Sequence, residues 1–249
     1  MEMRLNKFLA HAGVCSRREA DRMIADGLVR VNGRIVQEMG LKIDSSRDRV
    51  VADGRTVQAE SEGPVFVLLY KPVGPVVSVK DPFGRPTVMD LLPKLAARVY
   101  PVGRLDAETD GVLLLTNDGE TAHRLTHPRY GVPKVYEALV EGQAAEEDLD
   151  KVRRGLFLEG RRTAPARVRV LRRGSDWTLV GLEIHEGRKR EIRKLLEAVG
   201  HRATKLRRVA FAGLTLEGLK PGQWRFLKNR EIDRLRKLVE KRPRPRPPA

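Results

Sequence analysis

A chain of 249 residues has room for a small module beside a mid-sized domain, and 41% hydrophobic residues argue for packed cores rather than disorder. A charged fraction of 33% with a formal net charge of +16 points to a polyanionic partner. The longest apolar run, Val65 to Tyr70, is far shorter than the roughly 20 residues of a spanning helix, and the lone Cys15 excludes an intramolecular disulfide framework.

The opening Met1-Glu2-Met3-Arg4 lacks the apolar core and cleavage site of a signal peptide, so a cytoplasmic location is expected. Leu5, Phe8, Leu9 and Ala12 then fall at i, i+3, i+4 and i+7, the spacing of one helix face, which ends at Gly13. Ser16-Arg17-Arg18-Glu19 is a capping box, and Ala20, Met23 and Ile24 carry the apolar face of a second helix to Gly27. Val29 and Val31 precede Asn32-Gly33, a strong hairpin signal, and Ile35-Val36 resumes beyond it. Lys7, Arg17, Arg18 and Arg22 lie off the apolar stripe as candidate RNA-binding residues, with Arg18 and Arg22 four apart on one face. Together, Arg4 to Leu9, Ser16 to Ala20 and Gly27 to Gly33 resemble the S-four-like RNA-binding domain, named for a ribosomal protein. The competing reading of residues 5–26 is a helix-turn-helix DNA-binding regulator, which the Asn32-Gly33 hairpin disfavours.

Residues 45–63 carry Ser45, Ser46, Asp53-Gly54 and the polar run Gln58 to Gly63, where a linker is expected to end. Strands are expected at 65–70, 75–79, 112–116, 134–141, 165–171, 177–185 and 206–216, with helices at about 87–96, 119–126, 144–154, 189–199 and 229–240. Without a regular βαβ rhythm, this order predicts an α+β fold. A small domain of two helices plus a short sheet at 1–60 precedes a domain at 64–240 with a mixed, mainly antiparallel sheet flanked by helices. Residues 241–249 alternate Arg and Pro and are expected to form a flexible basic tail. The charge is uneven: 20 of the 49 Lys and Arg but only 7 of the 33 Asp and Glu fall in 186–249, a local +13 that leaves +3 for residues 1–185.

No metal site is expected, because His123 and His127 at i, i+4 lack a third ligand nearby, and no Gly-x-Gly-x-x-Gly or P-loop offers a nucleotide site. The informative stretch is Pro101 to Gly111, where Asp106, Glu108 and Asp110 stand within five residues beside Arg104. Taken alone, it also reads as an acidic turn at a strand entrance, with Asp110-Gly111 as turn chemistry.

Gly103-Arg104-Leu105-Asp106, then Thr109, Gly111 and Leu113 to Gly119, are similar to the signature of the bacterial rRNA pseudouridine synthase family with a fused S-four-like domain. Lys71-Pro72-Val73-Gly74, Asp81 to Val88, Lys134-Val135-Tyr136 and Glu186 to Arg193 follow that family's motifs in order. Tyr70 stands where Asn is frequent in the family, and Glu191 where many relatives have Gln.

The resemblance implies that Asp106 is the catalytic aspartate and Arg104 the basic residue before it. Tyr136 would pack on the target base, and Arg193 would pair with the aspartate. It further implies rRNA or a ribosomal-subunit assembly intermediate as partner, no cofactor and no membrane; a monomer is expected. Asp81 to Leu92 with Pro93-Lys94-Leu95 looks more like the large-subunit branch, so a uridine of 23S rRNA is the expected target. Alternatives are the same chemistry on 16S rRNA, or a non-catalytic RNA-binding assembly factor. Pseudouridylation exchanges an N1–C1′ bond for a C5–C1′ bond and oxidises nothing. A carboxylate could serve as nucleophile or as base, and the sequence does not choose between them.

Overall fold

The computed structural model describes residues 2–58 and 63–240; the basic tail expected at 241–249 and residues 59–62 of the expected linker lie outside the described residues. The chain forms two compact units, one running to Val65 and taking in Ala96–Arg98, the other holding Phe66–Leu95 and Val99 onward.

In the first unit the chain order is β1 (Glu2–Arg4), α1 (Leu5–His11), α2 (Arg17–Ala25), β2 (Val29–Val31), β3 (Arg34–Ile35), β4 (Lys42–Asp44), β5 (Val50–Ala52) and β6 (Arg55–Val57). Leu5, Phe8 and Leu9 of α1 pack with Ala20 and Ile24 of α2 on Val29, Val50 and Ala52, the stripe that the helical spacing required. Ser16 Oγ accepts from Glu19 N at 3.2 Å, but Glu19 pairs with Arg22 at 3.4 Å, so only half of the capping box is made.

Asn32 and Gly33 have φ of 52° and 83°, as a two-residue hairpin turn needs. The stretch from 45 onward is less of a linker than its composition suggests. Asp53 and Gly54, with φ of 48° and 73°, form a second such turn, and β5 and β6 pair across it to extend a sheet of order β3-β2-β5-β6.

The second unit comprises β7 (Phe66–Lys71), β8 (Tyr100–Val102), β9 (Thr109–Thr116), α3 (Gly119–Thr126), β10 (Lys134–Glu141), α4 (Glu146–Arg154), β11 (Phe157–Leu158), β12 (Arg161–Arg162), β13 (Arg167–Arg173) and β14 (Trp177–Ile184). It ends with α5 (Glu191–Glu197), β15 (Ala203–Phe211), β16 (Leu214–Thr215), β17 (Trp224–Phe226) and α6 (Asn229–Glu240). Among the described residues nine strands form one sheet whose main order is β13-β14-β10-β15-β9-β7-β17. Its pairs are antiparallel except β9 with β15, which run parallel at the centre.

Two half-cores flank that seam. Ala138, Val140, Val180 and Leu182 pack against Leu149 and Val152 of α4 and Ile192, Leu195 and Leu196 of α5. Leu68, Val112 and Leu114 pack against Ala122 and Leu125 of α3 and Leu235 and Val239 of α6.

Two expected elements do not form. Residues 75–79 make only an isolated bridge, Val76 to Thr87, because the Gly74-Pro75 and Pro82 to Pro86 segments break the ladder. The expected helix at 87–96 is a single 3-10 turn, Val88–Leu91, capped by Thr87 and Asp90 and stopped before Pro93. Asp110-Gly111 lies inside β9 rather than in a turn.

Candidate active site

The loop between β8 and β9 is held from beneath by a buried cation. Lys71, at the end of β7 and fully buried, donates through Nζ to Pro72 O (2.8 Å), Ala107 O (3.3 Å) and Thr109 O (2.9 Å). An ammonium has three donors, and all three are used on carbonyls. Gly74 N also reaches Ala107 O at 2.9 Å, and Thr109 N reaches Asp106 O at 3.0 Å. Burial pulls Lys71 down to about 8, while the charges of Asp110 and Asp106 oppose that pull. The lysine therefore fixes the backbone on which Asp106 stands, and an ionised Asp106 helps to keep the lysine charged.

Asp106 is half-buried and lines a hollow of about 460 Å³. Tyr136 of β10, Ile184, Ile192, Leu206 and Phe211 supply apolar wall. Arg104, Lys134, Arg188, Lys189, Arg190 and Arg208 supply cations, against the acids Asp106 and Glu191. The hollow draws on residues of both half-cores, Leu105, Tyr136 and Leu206 from one and Val102 and Phe211 from the other. Tyr136 is 8% exposed and Arg104 is exposed. Of the expected site residues, Asp106, Arg104 and Tyr136 therefore share one hollow.

Arg193 does not share it. Its Nη1 donates to Ala203 O and its Nε stands 3.8 Å from Glu108, in a neighbouring hollow of about 950 Å³. The expected Arg193–Asp106 pair is thus replaced by an Arg193–Glu108 contact, because Arg193 projects from α5 toward the start of β15. Arg190 also faces Glu108, at 3.3 Å, and Arg207 holds Asp110 at 2.8 Å. In the larger hollow the loop acids Glu108 and Asp110 are therefore both paired with arginines.

Sequence reading passed over Arg208. It is 2% exposed, its Nε donates to Val112 O at 2.8 Å, and its Nη2 has no hydrogen-bond partner among the described residues. A register shift between Val135 and Tyr136 pairs Val135 with Ala210 and Tyr136 with Arg208, leaving Val209 as a bulge. A bulge re-aims the strand's side chains, and here Arg208 and Phe211 lie together, the guanidinium 4.9 Å from the ring centroid.

Gly111 pairs with Arg208 across the parallel seam, and a Cβ on it would lie 2.3 Å from Arg208 O. The usable signal is a charged residue two positions from Leu206, on the strand face that Ala203, Leu206 and Phe211 mark as buried.

The 186–191 segment is braced by a carboxyl pair. Burial and the hydrogen bond that a protonated Glu191 donates to Glu186 raise Glu191 to about 8, while the Arg188 N–H, 2.9 Å from Glu191 Oε2, works the other way. Glu186 accepts from Ala164 N at 2.7 Å, and Arg188 reaches Glu186, Arg161 O and Arg162 O. With its proton on, Glu191 offers one donor and one acceptor, the hydrogen-bonding character of the Gln that many relatives carry at this position. Tyr70, the other departure from the family pattern, donates to Asp110 Oδ2 at 3.3 Å.

Lys7, Arg17, Arg18 and Arg22 are all exposed on the first unit's helices. His127 Nδ1 accepts from Arg129 N at 3.2 Å, which gives that histidine a capping role. Among the described residues no group of three His, Cys, Asp or Glu side chains converges as a metal site, and no helix is long and apolar enough to cross a membrane.

Comparison with known proteins matches residues 65–198 to the RNA pseudouridylate synthase family and residues 3–50 to the S4 domain. The chain is 45% identical to a Bacillus subtilis protein named ribosomal large subunit pseudouridine synthase B, over 95% of this chain and 97% of that one. It is 42% identical to an Aquifex aeolicus protein named as an RNA pseudouridine synthase, over 96% of each. A crystal structure of a pseudouridylate synthase superposes with a TM-score of 0.68 at 29% identity, covering 94% of this chain and 99% of that one.

Proposed function

The chain belongs to the RNA pseudouridylate synthase family, and from that premise we propose that it isomerises a uridine of large-subunit ribosomal RNA with Asp106 as the reacting carboxylate. The observation that carries this reading is a half-buried, rigidly based carboxylate in a hollow walled by Tyr136 and several cations.

The reaction breaks N1–C1′, turns the uracil, joins C5 to C1′, releases the C5 proton and takes up one proton at N1, so that substrate and product are isomers. Asp106 would face the ribose or the base edge. The Lys71 clamp would hold it in place through the rotation, so little reorganisation is needed when charge develops. Tyr136 would give the everted uracil a flat wall, restoring stacking lost on leaving the RNA. Arg104, exposed at the lip, would contact the nucleotide or its neighbours. Lys7, Arg17, Arg18 and Arg22 would hold folded RNA through its phosphates. Large-subunit RNA is favoured by the name of the B. subtilis relative and by the residues 81–95 that resemble the large-subunit branch.

The test is tritium release from C5-labelled uridine in large-subunit and small-subunit rRNA transcripts, followed by carbodiimide-blocked primer extension to map the product. Release from the large-subunit transcript alone is expected. Release from the small-subunit transcript alone overturns the substrate assignment, and release from neither overturns the proposal as a whole.

A further inference from the structure

We propose that Arg208, on the strand that carries Phe211, and Lys134, paired with Phe211 on the adjacent strand, bind one of the two phosphodiesters that flank the target uridine. This rests on the reading that the uridine enters the Asp106 hollow. Both side chains line that hollow with Asp106 and Tyr136. Arg208 lies 4.9 Å and Lys134 Nζ 5.9 Å from the Phe211 ring centroid, so one aromatic plate carries two cations. Lys134 pairs in register with Phe211, and Arg208 with Tyr136, so the four side chains occupy two adjacent strands.

Two like charges this close and this buried repel each other unless an anion joins them. The protein supplies little of one. Arg208 makes one hydrogen bond, to a carbonyl, and leaves Nη2 unpartnered among the described residues. Among the described residues Lys134 reaches only the carbonyl of Val132, at 3.1 Å. Burial and Arg208 pull Lys134 down to about 8, with Glu191 and Glu186 opposing. Glu191 is itself biased toward its neutral form, and Glu186 is engaged by Arg188 and Ala164 N.

The contrast with the neighbouring hollow is direct, since there Arg207 and Arg190 each face a carboxylate. An RNA substrate carries its anionic charge on phosphate, and a guanidinium beside an ammonium offers the donors that a phosphodiester accepts. Seating a flanking phosphate there would fix the sugar's orientation relative to Asp106 through the backbone, independently of base stacking on Tyr136.

The experiment uses short RNA substrates in which the 5′ or the 3′ linkage of the target uridine is a neutral methylphosphonate. Tritium release is measured as kcat/KM with the wild-type chain, Lys134→Gln and Arg208→Lys. One of the two neutral linkages is expected to slow the wild type by about 10- to 100-fold, the range of a lost charge-assisted contact. The same linkage should slow Lys134→Gln by much less, because the contact is already gone. Arg208→Lys, which keeps the charge where a bulkier change would risk misfolding, should show an intermediate penalty.

The proposal is overturned if neither linkage matters to the wild type, or if the penalty is undiminished in Lys134→Gln. It is equally overturned if the variants couple instead to 2-thiouridine or 4-thiouridine at the target, which would assign the cations to the uracil carbonyls. A wild-type chain inactive on the unmodified RNA would instead count against the proposed function, so the two failures are distinguishable.

Discussion

Two hollows share Arg190 and Leu206 at their common wall, and they treat their charges in opposite ways. In the larger, Glu108 faces Arg190 and Arg193, and Asp110 bonds Arg207 and Tyr70. In the smaller, the Asp106 carboxylate makes no ion pair within 4.0 Å among the described residues, and Arg208 and Lys134 bond only carbonyls. Size does not mark the proposed reactive site; unpaired charge does. Three acids within five residues look equivalent in a sequence, yet the fold sends two into neutral pairs and leaves one open to a substrate.

The widest separation between the hollows should come from their acids. Asp106→Asn, nearly isosteric but without the charge, is expected to abolish tritium release, a loss of at least about 10³-fold, while retaining RNA binding. Glu108→Gln and Asp110→Asn should keep turnover within about tenfold, since they disturb the loop's supports and not the reacting group. Comparable losses at all three positions would erase the distinction.

The wall between the hollows depends on Gly111. Its φ of 125° and the 2.3 Å from a Cβ to Arg208 O leave no room for a side chain on either count. Gly111→Ala should part β9 from β15 and cost about 3 kcal/mol or more, read as a drop in chemical-denaturation midpoint. Wild-type stability in this variant would mean that the seam is not where the site's rigidity originates.

Much of this was legible beforehand, and what was missed has physical causes. Periodicity found α1, α2, α3, β10 and α6, because each has one buried face and recognisable ends. The Asn32-Gly33 hairpin is readable from its φ demands, whereas the same chemistry at Asp53-Gly54 reads as linker, since the three-residue strands beside it are too short to display alternation. Asp106, Arg104 and Tyr136 came from motif resemblance, and the structure brings them to one hollow. Arg193 was expected beside Asp106, but helix spacing does not say toward which neighbour a long side chain leans. Arg208 is easily overlooked because it ends the basic run Lys205-Leu206-Arg207-Arg208, which reads as a solvated surface although Arg208 shares the buried face of Leu206.

A smaller effect should come from Glu191, buried in the hollow's wall. Its folded value is raised from 4.5 to about 8, so the folded state favours the protonated form. Its contribution to stability is therefore complete below about 4.5 and is lost as pH rises through about 8. Glu191→Gln keeps a neutral hydrogen-bonding group at every pH and has nothing to lose. The variant's melting temperature should overtake that of the wild type between pH 6 and pH 9, by about 2–4 °C for each kcal/mol. Parallel curves for the two proteins would show that Glu191 carries its charge throughout this range.

The smallest expected effect tests the paired hollow on its own terms. Arg207 and Asp110 have side chains 47% and 15% exposed and meet at 2.8 Å, with the guanidinium 5.6 Å from the Tyr70 ring centroid. Solvent screens an arginine that open, so the coupling from a double-mutant cycle of Arg207→Gln and Asp110→Asn should be only about 0.5–1 kcal/mol in unfolding free energy. It should weaken as salt rises, because the Arg207 end lies in water. Turnover in the two single variants should change little, since neither group lines the hollow proposed for the uridine. A strong coupling in kcat/KM with a weak one in stability would place this pair in the reaction, and the line between the hollows would then have to be redrawn to include Asp110.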